Sequence, residues 1–169
     1  RLVAKEAVIL ATLYGADPED AWLAGMLHDI TKELSKEEQL KLLNNRGMMV
    51  DSVLLRIPSI WHAITADIYL RERDFPLKEE VLDAIRYHTT GRAGMSLLEK
   101  IIFVADVVSE DRDYPGVEVF RQGARNDLDG TLLDCLADIL DKQLQKRQLL
   151  APRTIEGYND LLIQREVAI

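Results

Sequence analysis

Apolar residues recur along this chain at the spacing of α-helices. Val3, Ala7, Leu10 and Tyr14 are three or four positions apart, which places them on one helix face. Every long segment repeats this spacing, and none alternates between apolar and polar residues as a half-buried strand does. The pattern predicts an all-α fold. With 169 residues, the chain is expected to form one domain over 1–169, because chains usually divide only beyond ~250 residues.

Turn and capping residues predict where these helices begin and end. Gly15 ends the first helix, and Asp17 followed by Pro18 is typical of an N-cap and a first helical turn. Capping boxes of the form S-x-x-E begin at Ser35 and Ser96. The predicted helices cover 1–14, 18–30, 35–45, 58–72, 77–88, 96–108, 117–122, 127–150 and 152–165, with a helical turn at 51–55.

Charge and cysteine content narrow the range of partners. The net charge is −8 and no basic run is present, whereas a nucleic-acid binder needs a basic face. No apolar run approaches the ~18 residues of a membrane span. The sequence therefore predicts neither a nucleic-acid nor a membrane partner. The single cysteine, Cys135, excludes a disulfide within the chain and a cysteine-based zinc site. Its apolar neighbours predict a buried structural thiol. Because no disulfide can form within the chain, we expect a reducing compartment and hence a cytoplasmic protein.

Only three histidines are present, and His28 is followed directly by Asp29 near the predicted end of the second helix. Two adjacent ligands can reach one ion that lies over a helix end, and imidazole with carboxylate suits iron, manganese or zinc. Alternatively, His28 is a helix C-terminal histidine stabilised by the dipole, and Asp29 is solvated.

Asp106 is the one polar residue in the apolar stretch 101–108. A helix that is apolar all round is buried, and a buried carboxylate requires a metal, a proton or another partner. Asp106 is therefore either a metal ligand or a carboxylate satisfied by an arginine or by helix amides.

The turn 87–91 contains His88, Thr89, Thr90 and Gly91. Hydroxyls and backbone amides in such a turn can hold phosphate oxygens, or Gly91 is a simple helix C-cap with positive φ.

Three further residues have two interpretations each. Lys32 comes four residues after His28, and Arg112 comes six residues after Asp106. Each could therefore bind a phosphate near the predicted metal. Alternatively, each is a solvated surface charge. His62 is either a core histidine or a proton carrier.

In chain order these motifs resemble the HD-domain phosphohydrolases, in particular the bacterial symmetrical bis(nucleosyl)-tetraphosphatases. The resemblance extends over essentially the whole chain. It rests on residues 14–17 (YGAD), 27–29 (LHD) with Lys32, 61–63 (WHA), 87–91 (YHTTG), 105–106 (AD) with Arg112, and 158–161 (YNDL). The histidine-threonine-threonine-glycine turn followed by the apolar helix with its aspartate is the most specific part.

The resemblance implies an HD-type helical bundle that binds metal through His28, Asp29 and Asp106. It implies iron, with manganese as the alternative, and His62 and His88 could hold a second ion. It also implies a further metal histidine on the opening helix just before Arg1, so we expect the chain to start within that helix.

By the same resemblance, the nucleotide faces Lys32, His62, His88, Thr89 and Arg112, and its base and ribose end is covered by Pro152, Arg153 and Thr154. The expected catalytic residues are Asp29, Lys32, His62, His88 and Arg112.

The implied reaction is hydrolysis of diadenosine tetraphosphate and related dinucleoside polyphosphates to two nucleoside diphosphates. In that reaction His62 or His88 would protonate the leaving diphosphate. The alternatives are another HD hydrolase (a deoxynucleotidase, a cyclic-nucleotide phosphodiesterase or an alarmone hydrolase) and a nucleotide-binding module without activity. A homodimer is expected, since it is the commonest soluble oligomer.

Overall fold

The computed structural model describes residues 1–44 and 52–167, with the backbone alone for Val167. This part of the chain contains nine α-helices and no strand, as the apolar spacing predicts. The helices are α1 (Leu2–Tyr14), α2 (Pro18–Leu27), α3 (Lys36–Asn44), α4 (Trp61–Glu72), α5 (Glu79–Tyr87), α6 (Leu97–Val108), α7 (Val117–Asn126), α8 (Leu128–Gln145) and α9 (Pro152–Val167). Two 3₁₀ turns, Leu54–Arg56 and Pro58–Ile60, precede α4.

The predicted capping residues lie at the helix ends. Gly15 has a φ of +81° after α1, and the Asp17 carboxylate accepts two backbone N–H groups at the start of α2. Ser96 and Glu99 form a reciprocal capping box on α6. At α3, Ser35 Oγ accepts the Glu38 N–H, and the Glu38 carboxylate accepts the Ser35 N–H.

Three predicted helix ends are wrong. Helix α2 ends at Leu27 and not at residue 30, because the chain continues as tight i→i+3 turns through Leu34. Helix α8 ends at Gln145 and not at residue 150, since Arg147 adopts a left-handed φ of +53°. Helix α7 continues past residue 122 until the extended Asp127, which caps α8. The predicted turn at 51–55 begins outside the described residues.

The core surrounds α6, which packs against α1, α2, α5, α7 and α8. Phe103 and its neighbours 101–105 are buried on every side of this helix, as its uniformly apolar sequence predicts. Cys135 lies in the same core, and burial raises the pKa of its thiol to about 12. This agrees with the prediction of an inert structural thiol. A smaller cluster joins α3, the two 3₁₀ turns and α4.

Buried carboxylates away from the histidines are paired with basic side chains: Asp20 with Lys78, and two others with arginines. Asp67 accepts from Arg71 at 2.5 Å and from Arg86 at 2.7 Å. Glu99, which is completely buried, accepts from Arg92 at 2.7 Å. These pairs satisfy charges that would otherwise be costly to bury. In the described part of the chain, no helix is both long and apolar enough to cross a membrane.

Helices α1 and α2 approach each other closely at Gly25. A Cβ at this position would lie 2.6 Å from the Cα of Ala4, a backbone atom that cannot move alone. The glycine therefore sets the separation of the two helices just before His28.

We expect Gly25→Ala to reduce the free energy of unfolding by about 1–3 kcal/mol, the usual cost of overpacking a core. Urea denaturation measures the change. Met26→Ala is the matched control on the same helix, because Met26 is substantially exposed; we expect a loss within about 0.5 kcal/mol. Equal losses in both variants would contradict the close-packing argument.

Candidate metal centre

Two of the three histidines directly follow the last residue of a helix. His28 comes after α2 and His88 after α5. Nδ1 of His28 lies 2.8 Å from the carbonyl oxygen of Gly25, and Nδ1 of His88 lies 2.7 Å from that of Ile85. A carbonyl can only accept, so Nδ1 carries a hydrogen in both rings, and Nε2 has a lone pair for a metal whenever the ring is neutral. This second hydrogen bond is the usual way to orient a metal-binding histidine.

Two carboxylates lie beside Nε2 of His28. The distance from this nitrogen is 3.4 Å to Oδ2 of Asp29 and 3.7 Å to Oδ1 of Asp106. Asp29 is in the turn after α2, and Asp106 is near the end of α6. The fold thus brings together the His-Asp pair and the remote aspartate that the sequence singled out.

The other two imidazoles approach the second oxygen of Asp29. Nε2 of His62, in the first turn of α4, lies 3.3 Å from Asp29 Oδ1, and Nε2 of His88 lies 3.6 Å from it. Among the described residues, neither the buried Oδ1 of Asp29 nor the buried Nε2 of His88 has a hydrogen-bond partner. Such atoms are costly to bury unless a proton or a cation lies between them.

The donor atoms form two groups that fit a divalent metal. His28, His88 and Asp106 make one group, and Asp29, His62 and His88 the other; within each, the donor atoms are within 4.8 Å of one another. Imidazole nitrogen with carboxylate oxygen suits iron, manganese and zinc. Because His88 belongs to both groups, the arrangement can accommodate one ion or two.

The charges of the cluster are strongly coupled. Burial acts to lower the pKa of His28, but Asp106 and Asp29 outweigh it and raise the pKa to about 9. Burial acts to raise the pKa of both carboxyls, yet His28 and His88 hold each pKa well below its usual range. A metal that binds Nε2 of His28 would therefore replace a proton between two carboxylates. Burial, followed by the nearby His88, lowers the pKa of His62 to about 4.

Two basic side chains border the cluster. Lys32 Nζ lies 2.6 Å from Asp29 Oδ2, although α2 ends before it and the contact is made through the following turn. Arg112 donates from Nε to the backbone oxygen of Asp106 at 2.8 Å, and its guanidinium also contacts the Asp106 carboxylate. Both side chains are more than a third exposed, so their charges lie at the mouth of the site.

The geometry of the turn after α5 is compatible both with a helix C-cap and with phosphate binding. Gly91 has a φ of +63°, and its N–H donates to the Tyr87 carbonyl, as a C-cap requires. The buried Thr89 hydroxyl has no partner among the described residues, whereas Thr90 donates to the Gly91 carbonyl. Thr89 thus has an unused hydroxyl one residue after His88.

The start of α9 lies against the same turn. The Arg153 guanidinium is 5.2 Å from the ring centroid of Tyr87, the residue before His88. Thr154 is buried in the first turn of α9, where its N–H donates to Ala151. No hydrogen bond, ion pair or ring contact between described residues joins Pro152 or Thr154 to the histidines, so their place at the base and ribose stays a prediction.

Thr31 is a structural support that sequence reasoning missed. Its fully buried hydroxyl donates to the backbone oxygen of His62 at 2.8 Å and also lies 2.8 Å from the Thr65 hydroxyl. The bond ties the turn that carries Asp29 to the first turn of α4. A threonine in a turn gave no local signal, because its partners are more than thirty positions away.

We expect Thr31→Val to cost about 0.5–1.5 kcal/mol of stability, because the valine has the same shape but no longer donates to the His62 carbonyl, which keeps only the longer bond of 3.3 Å from the Thr65 hydroxyl among the described side-chain donors. Metal affinity should fall about 10–100-fold, as it does when an outer support of a ligand is lost. Urea denaturation and metal titration measure the two effects. Thr31→Ser keeps the hydroxyl and is the matched control; if it loses as much metal affinity as valine does, the hydrogen bond is not the cause.

Comparison with known proteins agrees with this geometry. The HD domain family model matches residues 1–111. The chain is 41% identical over 164 residues to a symmetrical bis(5'-nucleosyl)-tetraphosphatase of Halalkalibacterium halodurans, covering 97% of this chain and 87% of that protein. It is 39% identical over 161 residues to the protein of the same name from Bacillus subtilis, covering 95% and 86%.

A solved structure is also closely similar. The crystal structure of a predicted HD superfamily hydrolase involved in NAD metabolism, from Clostridium acetobutylicum, superposes with a TM-score of 0.92 at 35% identity. The match covers 96% of this chain and 86% of the other. With its His-Asp pair and remote aspartate assembled on a helical bundle, the chain belongs to the HD domain family and, within it, to the family of these symmetrical bis(5'-nucleosyl)-tetraphosphatases.

Proposed function

We propose that this protein is a metal-dependent phosphohydrolase that cleaves diadenosine tetraphosphate and related dinucleoside polyphosphates symmetrically into two nucleoside diphosphates. One observation carries the proposal: a buried oxygen of Asp29 and a buried nitrogen of His88 face each other with no hydrogen-bond partner in the described part of the chain, in a cluster bordered by two basic side chains. Such a cluster suits a cation and the anionic phosphates it attracts. The names of the relatives support the choice of substrate.

We assign the metal to His28, Asp29 and Asp106. Iron is the proposed ion and manganese the alternative, since mixed imidazole and carboxylate ligands suit both. A metal held there supplies a Lewis acid that polarises a phosphoryl oxygen and lowers the pKa of a water.

Lys32 and Arg112 are the proposed phosphate-binding residues. Each already lies against a carboxylate of the cluster and keeps an exposed, positively charged end. A phosphoryl group in the cluster would gain negative charge in its transition state, and fixed cations on both sides stabilise that charge. Arg112 is the more rigid of the two, because two hydrogen bonds to one residue fix its guanidinium.

His62 and His88 are the proposed proton carriers. Both Nε2 atoms lie within 4 Å of the same Asp29 oxygen, at the centre of the site. An imidazole at this position can move a proton to the oxygen of the leaving diphosphate. Because burial lowers the pKa of His62 to about 4, this imidazole is neutral near pH 7 and must first take up the proton that it passes on. The nucleoside end is assigned to the unused hydroxyl of Thr89 and to the start of α9, where Arg153 lies over Tyr87. Pro152 and Thr154 belong to this assignment as flanking residues.

The cytoplasmic location and the homodimer are also proposed here. The first is supported by the single, buried cysteine. The second rests on base rates for soluble oligomers alone.

Loss of an outer support of a metal ligand lowers metal affinity about 10–100-fold. We expect Asp106→Asn to lower it by more than this, because the substitution removes a charged ligand. Metal content after purification and titration with manganese measure the loss, and circular dichroism verifies the helices. Asp113→Asn is the matched control, since Asp113 is an exposed carboxylate in the loop after α6. Unchanged metal affinity in Asp106→Asn would exclude Asp106 as a ligand.

We expect the metal-loaded chain to convert diadenosine tetraphosphate into ADP alone, and the Asp106→Ala variant to lose this activity. Anion-exchange chromatography separates the products. A mixture of AMP and ATP would contradict the symmetrical cut. No turnover despite a bound metal would favour the other HD hydrolases, which assays with deoxynucleotides, cyclic nucleotides and alarmones distinguish, or the binding module.

A further inference from the structure

A cavity of about 270 Å³ lies between the end of α6, the loop after it and α8; we name it the α8 cavity. Its lining consists of Asp106, Val107, Arg112, Tyr114, Asp138 and Lys142. A second cavity, the metal-side cavity, lies beside Arg1, Leu2 and Val3, includes His28, Asp29 and Lys32, and is also lined by Asp106 and Arg112. The ion pair of Asp106 and Arg112 is thus a wall shared by both cavities.

A substrate that is cleaved at its centre requires two binding surfaces, one for each half. Cleavage at the centre of a tetraphosphate leaves one nucleoside diphosphate on each side of the broken bond. The metal-side cavity can hold the half that is attacked, so the leaving half needs a second surface. The α8 cavity is smaller than the ~300–1,000 Å³ of sites that enclose a whole small molecule. It therefore suits a part of the substrate.

Arg112 presents a fixed positive charge to this cavity. Its Nε and one terminal nitrogen bind Asp106, while the other terminal nitrogen, Nη1, donates to no group among the described residues. A guanidinium with an unused donor beside a carboxylate is well suited to a phosphate oxygen.

Lys142 supplies a second, movable charge. Its Nζ lies 2.6 Å from Asp138 on the same helix and 5.6 Å from the ring centroid of Tyr114. The lysine side chain is 56% exposed, and exposed pairs of this kind are weak in water, so the ammonium can turn to a phosphate at little cost. Tyr114 is held more firmly, because its hydroxyl donates to the Val107 carbonyl at 3.1 Å.

We propose that the α8 cavity binds the leaving nucleoside diphosphate half of the substrate, with its phosphates between Arg112 and Lys142 and with Tyr114 as the floor. The inference rests on the proposed symmetrical cleavage. It assigns substrate binding to Tyr114 and Lys142, which the sequence motifs did not single out.

The test compares three variants of the metal-loaded chain in steady-state hydrolysis of diadenosine tetraphosphate. Lys142→Met keeps the apolar stem and is expected to raise KM about tenfold, the loss of one charge-assisted contact, with kcat within about twofold. Lys142→Arg keeps the charge and should stay near the wild-type KM. Lys146→Met is the control one turn further along, where the lysine is exposed. Equal KM values for Lys142→Met and Lys146→Met would overturn the inference.

Binding of ADP gives a readout that does not depend on turnover. Calorimetric titration of the metal-loaded wild type should reveal one ADP in each cavity, and Lys142→Met should weaken one of these sites about tenfold and leave the other unchanged. A single ADP per wild-type chain would overturn the second site. A wild type that binds ADP in both sites without cleaving the tetraphosphate would instead contradict the proposed function.

Discussion

The centre depends on the hydrogen bonds that two histidines make with their own helices. Nδ1 of His28 and of His88 each bind the carbonyl three residues earlier, at the ends of α2 and α5. These bonds satisfy carbonyls that a helix end leaves free, and they also decide which nitrogen faces Asp29 and Asp106. One local hydrogen bond thus satisfies a carbonyl at the end of a helix and orients a candidate ligand.

The remaining fold holds these helix ends at a common point. Helix α6 carries Asp106 and packs against five other helices, which keeps its backbone in place. Gly25 allows α2 to lie against α1, and the Thr31 hydroxyl ties the next turn to α4. The buried carboxylates away from the cluster are paired with basic side chains, as Glu99 is with Arg92 and Asp20 with Lys78. The unsatisfied charge is therefore concentrated at the cluster, where a cation can use it.

Much of the architecture could be predicted from local patterns, because helix propensity and capping act over a few residues. The capping box at Ser96 and the stop at Gly15 are examples. The end of α2 could not be predicted, since the tight turns after Leu27 depend on a side-chain bond of His28 and on the anchor of Thr31. Arg147 ended α8 through a backbone conformation that its sequence does not favour.

The sequence by itself determined the all-α class, the core role of the helix 97–108 and the unusual position of Asp106 within it, because each follows from apolar periodicity. It also singled out His28 with Asp29 as a chemical pair. Only the tertiary structure decided that Nε2 of His88 lies opposite the buried Oδ1 of Asp29, and that Arg112 separates two cavities. These relations join helices far apart in the chain, and no local pattern of residue types specifies a distance across a folded core.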